Sequence, residues 1–203
     1  MRRKNRTVLA VAVFFLAYLL LLFTWVHVKP YYGNFLAHIG AQLSAWTTGA
    51  RLSQVSQDKE IADISFLYYA VTDTGSGDVM LNVKISVSNY SFNVPLTFAL
   101  IAGLFVVFRW SAGSILESCL ILMAIHLGYI YFYCTLQIYY QLAVAHIMAP
   151  PKWIQFLLQF LWGFTDNLII RFEPFLIAVY LWLSQMLRVR AAASDSSQPT
   201  GLS

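Results

Sequence analysis

The feature that most constrains this chain is a run of about 22 apolar residues, TVLAVAVFFLAYLLLLFTWVHV, directly after the basic start MRRKNR. As a helix rising about 1.5 Å per residue, such a run crosses a hydrocarbon core of about 30 Å. A cleavable signal peptide has a shorter apolar core, about 7 to 15 residues, and small residues at its cleavage site. Here Trp25, His27 and Lys29 follow instead, so the run reads as a retained anchor. The composition agrees. The chain is 59% hydrophobic and only 11% charged, against about a quarter charged in a soluble domain.

A net charge of +4 does not point to nucleic acid, because the basic residues gather at the termini and no Arg/Lys stripe interleaves with aromatics. There is no GxxxxGK[ST] loop and no GxGxxG after a strand, hence no nucleotide or cofactor motif. Cys119 and Cys134 fall on one predicted helix at a spacing of about 22 Å, beyond disulfide reach. No Cys/His spacing suits a metal.

Beyond the anchor, YYGNFLAHIGAQLSAW predicts a helix lying on the membrane surface, with Phe35, Leu36, Ile39, Leu43 and Trp46 on one face and His38 and Gln42 off it. The polar RLSQVSQDKE then returns the chain to water. Val79, Leu81, Val83, Ile85 and Val87 alternate with Met80, Asn82, Lys84, Ser86 and Ser88, the strongest strand pattern present. With IADISFLYYAV before it and TDTGSGD between, this predicts a β-hairpin over 61–89, Gly75 and Gly77 supplying positive φ. A lone hairpin is marginal in water, so it requires helices, more strands or a partner over its apolar face.

FNVPLTFALIAGLFVVFRW and the stretch from Ile115 to about Val144 predict a second and third span, which the short SAGS link makes antiparallel. Pro95, Ala99 and Gly103, and likewise Ala124 and Gly128, place small residues at four-residue spacing, where helices approach closely in lipid. Pro150 and Pro151 end the third span. KWIQFLLQFLWGF predicts a second interfacial helix, with Gln155 and Gln159 beside a broad face of Trp153, Phe156, Phe160 and Leu161. After TDN, PFLIAVYLWLSQML makes a short fourth span.

The expected fold is an integral membrane, mainly α-helical protein with about four transmembrane helices, a small β-hairpin-containing extracytoplasmic segment and two interfacial amphipathic helices. Its parts are a basic tail and anchor (1–28), the extracytoplasmic segment (29–91), a membrane domain with three spans and an outer amphipathic helix (92–187), and a disordered tail (188–203). Arg2, Arg3, Lys4 and Arg6, then Arg109, then Arg188 and Arg190 flank the spans on one side, which the positive-inside rule makes cytoplasmic for both termini.

Chemistry-bearing side chains concentrate in ILESCLILMAIHLGYIYFYC, residues 115–134. Ser114 and Glu117 match a capping box at the start of the third span. Cys119, His126, Tyr133 and Tyr140 recur every seven residues and face one neighbour together. Seven residues rise about 10.5 Å, so Cys119 and His126 cannot form a nucleophile–base pair within the span. A histidine inside a span suggests function by its cost, or a neutral imidazole bonded to a tyrosine or carbonyl of another helix. Arg171 and Glu173, just before Pro174, either anchor the fourth span at the interface or offer a partner a charged contact.

FNVPLTFAL at 92–100 and PFLIAVYLW at 174–182, together with the order of anchor, strand-bearing outer segment and aromatic-rich three-span half, resemble the exosortase H-associated membrane proteins. The resemblance implies a non-catalytic accessory of a bacterial exosortase-type sorting system, in the inner membrane. The string ESC at 117–119 is similar to the cysteine motif of exosortases themselves. Yet Leu120 stands where those enzymes carry a small Ser-Gly pair, and no arginine lies within a span. Two functions follow. In one, Val83, Ile85, His126, Tyr133, Tyr140, Arg171 and Glu173 are candidates to dock a membrane protein partner. In the other, a membrane thiol enzyme uses Cys119 with a histidine from another span or subunit, such as His126 of a second copy.

Overall fold

A computed structural model of the chain describes residues 3–72, 75–108 and 110–195. Arg2 and Arg109 of the basic flanks, the turn residues Asp73 and Thr74, and the tail from 196 onward lie outside the described residues. The elements run α1 (Arg3–Thr48), β1 (Arg51–Asp58), β2 (Ile61–Thr72), β3 (Gly75–Ser86), α2 (Val87–Ser91), α3 (Val94–Phe108), α4 (Ala112–Val144) and α5 (Lys152–Phe164). A π-helical turn (Thr165–Ile169) then leads into α6 (Ile170–Asp195). Four helical stretches, Asn5–Thr48, Val87–Phe108, Ala112–Val144 and Lys152–Arg188, are long and apolar enough to cross a membrane. The protein is mainly helical with one small antiparallel sheet, as a multi-pass membrane protein would be.

Three expected breaks are absent. The anchor and the helix expected to lie on the membrane surface form one 46-residue helix, α1, with Pro30 inside it. Pro30 removes a single N–H and leaves the Val26 carbonyl without its helical donor, yet α1 runs on through it to Thr48. TDN does not end α5, because Thr165, Asp166 and Asn167 lie in the π-helical turn that joins α5 to α6. α6 also runs through Pro174, which takes the donor from the Ile170 carbonyl. The side chain of Asn93 replaces it, donating from Nδ2 to that carbonyl at 2.6 Å. At the far end, α6 continues to Asp195, so the stretch 188–195, expected to be disordered, is helical.

The chain divides into two compact units. The first comprises residues 1–21, 94–122 and 173–203. Within it Pro95, Ala99 and Gly103 are buried along α3, the small-residue face expected from their spacing. A Cβ on Gly103 would lie 2.8 Å from the Phe14 Cβ and 3.1 Å from the Ala10 carbonyl oxygen of α1. Only glycine permits that approach. The cap of α4 differs from the Ser114–Glu117 box: Ser111 Oγ accepts the Ser114 N–H at 3.2 Å. Glu117 instead accepts Tyr180 Oη at 2.8 Å and Arg188 at 3.2 Å. Both charges are roughly half exposed, so the pair contributes at most about 1 kcal/mol.

The second unit comprises residues 22–93 and 123–172. Its sheet has three strands in the order β1-β2-β3, one more than the expected hairpin, because the polar stretch RLSQVSQD forms β1. Asp58 and Ile61 close a two-residue turn whose first residue, Lys59, has φ 53°. The sheet's inner face, Ala62, Ile64, Phe66, Leu81, Val83 and Ile85, packs with Leu36, Ala37, Ala41 and Ala45 of α1 and Ile130, Cys134, Ile138 and Leu142 of α4. Each fully buried large side chain there stabilises the fold by about 1.5–3 kcal/mol. This is the cover that an isolated hairpin lacks.

α1 meets this core chiefly through small residues, on a face that takes only Leu36 fully from the expected apolar one. Gly33, Leu36, Ala37, Gly40, Ala41, Ser44 and Ala45 are buried, whereas Phe35, Ile39 and Trp46 are exposed. A Cβ on Gly33 would lie 2.5 Å from Val87, and one on Gly40 2.6 Å from Ile130. The small residues let the backbone of α1 come close to α2 and α4. On α4 the expected small pair does not serve this way: Ala124 is exposed, and a Cβ on Gly128 would meet only Phe132 at 3.7 Å.

Candidate functional site

Chemistry-bearing groups of the second unit gather in three adjoining places. The first is a chain of rings. His126 is fully buried on α4, and its Nδ1 lies 2.6 Å from the Tyr32 hydroxyl of α1. Ring centroids continue from Trp25 to Tyr32 at 5.2 Å, Tyr32 to His126 at 5.8 Å, and His126 to Tyr90 at 5.7 Å. From Tyr90 they reach Tyr129 at 5.7 Å, Tyr133 at 6.5 Å and Trp162 at 5.8 Å. Such offset and edge contacts add about 0.5–1.5 kcal/mol per pair beyond burial. The tyrosine-bonded imidazole is the arrangement expected of a histidine that joins helices.

The second place is a polar network one helical turn away. Lys29 Nζ donates to Glu60 Oε1 at 2.5 Å and to Ser88 Oγ at 2.7 Å, and Ser88 Oγ donates to Glu60 Oε2 at 2.7 Å. The Val87 N–H donates to the Glu60 carbonyl at 2.8 Å. The turn between β1 and β2 is thereby fastened to α1 and α2. Sequence reading missed this network, because Lys29 reads as a flank and Glu60 as one of several charges in a polar stretch. The hint lay in Lys29 being the first charge after the anchor. Since Tyr32 is one turn beyond Lys29, and Tyr90 two residues beyond Ser88, His126 stands near this polar level and not among purely apolar neighbours.

The hydrogen bond from Lys29, then that from Ser88, then the Lys29 charge hold the Glu60 carboxyl below its ordinary pKa, against a smaller opposing effect of desolvation. A carboxyl lowered by folding stabilises the fold above its unfolded pKa and loses that contribution as pH falls through the folded value. Thermal unfolding in detergent is therefore expected to shift downward as pH falls below the ordinary carboxylate range. Glu60→Gln should start lower at neutral pH and flatten that part of the curve; an unchanged profile would count against the network.

The third place is the sheet's edges. Asn82 of β3 is bound through both main-chain groups to one amide: its N–H donates to Gln141 Oε1 at 3.2 Å, and its carbonyl accepts Gln141 Nε2 at 2.9 Å. Tyr133 Oη donates to the Lys84 carbonyl at 3.3 Å. α4 thus covers the outer edge of β3 at Asn82 and Lys84, while Asp78 and Met80 farther out also direct main-chain groups away from β2. The opposite edge is open. From the Asp58–Ile61 closing pair, antiparallel alternation directs the main-chain groups of Val55 and Gln57 away from β2. β1 begins opposite Leu67, so β2 continues past it, and Tyr69 and Val71 present main-chain groups on the same open side. Tyr69 is 63% and Val71 76% exposed.

These facts sort the candidate residues. Val83 and Ile85 point into the core at 2% and 3% exposure, and His126 and Glu173 are fully buried, so none of the four presents a side chain to a partner. Glu173, expected at the outer surface, instead accepts Thr97 Oγ1 at 3.0 Å inside the first unit. Its displacement follows from the π-helical turn, which shifts the helical register just before it. Tyr133 is half-buried, while Tyr140 and Arg171 are exposed. Both cysteines are free thiols, Cys134 fully buried and Cys119 partly so, and neither bonds a histidine among the described residues. Among the described residues no three His, Cys, Asp or Glu side chains group to hold a metal ion. In comparisons with known proteins, no family model, curated protein or solved structure matches this chain.

Proposed function

We propose that this chain is a non-catalytic membrane protein whose sheet docks an extended segment of a partner. The observation that carries the reading is the open side of β1 and of the outer half of β2, whose main-chain groups beside Tyr69 and Val71 have no partner among the described residues, whereas α4 covers β3 at Asn82 and Lys84. An extended peptide adding there gains main-chain hydrogen bonds along the edge and side-chain contact at alternate residues. The resemblance of 92–100 and 174–182 to exosortase H-associated proteins makes the partner class a polytopic bacterial sorting enzyme. It also makes the location the inner membrane, with cytoplasmic termini.

The thiol-enzyme alternative has less to support it. Cys119 is a free thiol that bonds no histidine among the described residues, so this reading needs a histidine brought by another span or subunit. Pull-down of the tagged full chain from its native membrane in mild detergent should recover the partner equally from wild type and Cys119→Ala. Val71→Pro should reduce recovery at least about tenfold, since proline on an open edge removes a donor the sheet does not use. Undiminished recovery with Val71→Pro would overturn edge docking. Loss of maturation of an exported protein in Cys119→Ala, at normal chain levels, would favour the enzyme.

A further inference from the structure

We infer that a cleft beside the Lys29–Glu60–Ser88 network binds the phosphate of an anionic phospholipid headgroup. The cleft is about 370 Å³, and its lining joins an apolar wall of Leu22, Val26 and Phe92 to a polar end of Trp25, Lys29 and Lys59. That combination of one greasy side and convergent donors suits a molecule with a charged head and a hydrocarbon body.

Three observations point to phosphate chemistry. Trp25 lines the cleft, and among the described residues its indole N–H has no hydrogen-bond partner. Lys29 uses two bonds on Glu60 and Ser88, leaving a third donor. Glu60 has both oxygens engaged, by Lys29 and by Ser88, and its charge is balanced by Lys29. The two lysines and one carboxylate leave a single positive excess, matching the single charge of a phosphodiester.

Position selects a lipid over free phosphate. Lys29 is the first charged residue after the apolar run of the anchor, where a helix leaves the hydrocarbon and meets the phosphates. Leu22, Val26 and Phe92 of the wall are 41%, 67% and 54% exposed, so the cleft opens along the surface that faces acyl chains. Past Ser88 and Phe92 lies a second cleft of about 690 Å³ bearing Asn89, Asp166 and Arg171, room for a polar headgroup substituent. Neither cleft involves the sheet edge, and the inference stands apart from partner docking.

The test is native mass spectrometry of the full-length protein in detergent, titrated separately with phosphatidylglycerol, phosphatidylcholine and inorganic phosphate. One tightly held phosphatidylglycerol is expected, with phosphatidylcholine weaker and millimolar phosphate failing to displace the lipid. Lys59→Asn, at a turn whose φ of 53° asparagine accepts, and Trp25→Phe should each weaken binding about tenfold, the scale of a lost charge-assisted or buried hydrogen bond. Unchanged affinity in both variants, or equal binding of the two lipids, would overturn the site. Displacement by inorganic phosphate at millimolar concentration would overturn the lipid as its source.

Discussion

Gly40→Val is expected to be among the most damaging single changes in the second unit, lowering its stability by about 2–3 kcal/mol. A Cβ at this position would stand 2.6 Å from Ile130 Cγ2 and 3.0 Å from Ile130 Cβ. Neither atom can swing clear: Ile130 is fully buried and β-branched, with a stiff χ1. α1 and α4 would have to separate, and the Ser44 bond to the Tyr131 carbonyl, 3.1 Å long, would lengthen with them. Thermal unfolding in detergent should show the loss, and combining Gly40→Val with Ile130→Ala should recover part of it, since the two side chains compete for one space. A double variant no better than the sum of its parts would place the damage elsewhere.

Proline substitutions in the sheet are expected to separate the two edges. Val83 pairs with Ile64 and directs its N–H toward β2, since its neighbour Asn82 directs both main-chain groups toward Gln141. Val83→Pro therefore deletes a ladder bond, leaves a buried carbonyl unpaired at a cost of about 1–3 kcal/mol, and disturbs a side chain in the core. Loss of the sheet signal in circular dichroism and a large drop in unfolding temperature should follow. Val71→Pro, whose N–H faces the open edge, should leave both nearly unchanged. Similar losses for the two would refute the assigned strand polarity.

The contrast bears on what could be read from residues alone. The alternation from Val79 to Ser86 identified β3 because burial on one face imposes a period of two, although Val87 and Ser88, expected to continue the strand, begin α2. β1 was hidden, since RLSQVSQD is an edge strand with a polar outer side, and polarity at an edge resembles a loop. The apolar face of α1 did not reveal its contact with the core, because Gly33, Ala37 and Gly40 make that contact and small residues carry little hydrophobic signal.

Helix ends were the other weak point. Prolines 30 and 174 and the string TDN are stop signals locally, yet the helices run through them, and at Pro174 the lost donor is replaced by Asn93, distant in sequence. The site shows the same division. That His126 would find a tyrosine was legible from its apolar setting, but which tyrosine was not, because Tyr32 lies 94 residues away. The fates of Glu117 and Glu173 likewise depended on Arg188, Tyr180 and Thr97, which no local pattern connects to them.

The most direct measurement of the central claim is site-specific photo-crosslinking in the native membrane, with the probe placed singly at Gln57 and Tyr69 on the open edge and at Asn82 beside α4. Edge docking predicts crosslinks to another polypeptide from Gln57 and Tyr69, and crosslinks only within the chain from Asn82. Partner crosslinks from Asn82 with none from the open edge would contradict it.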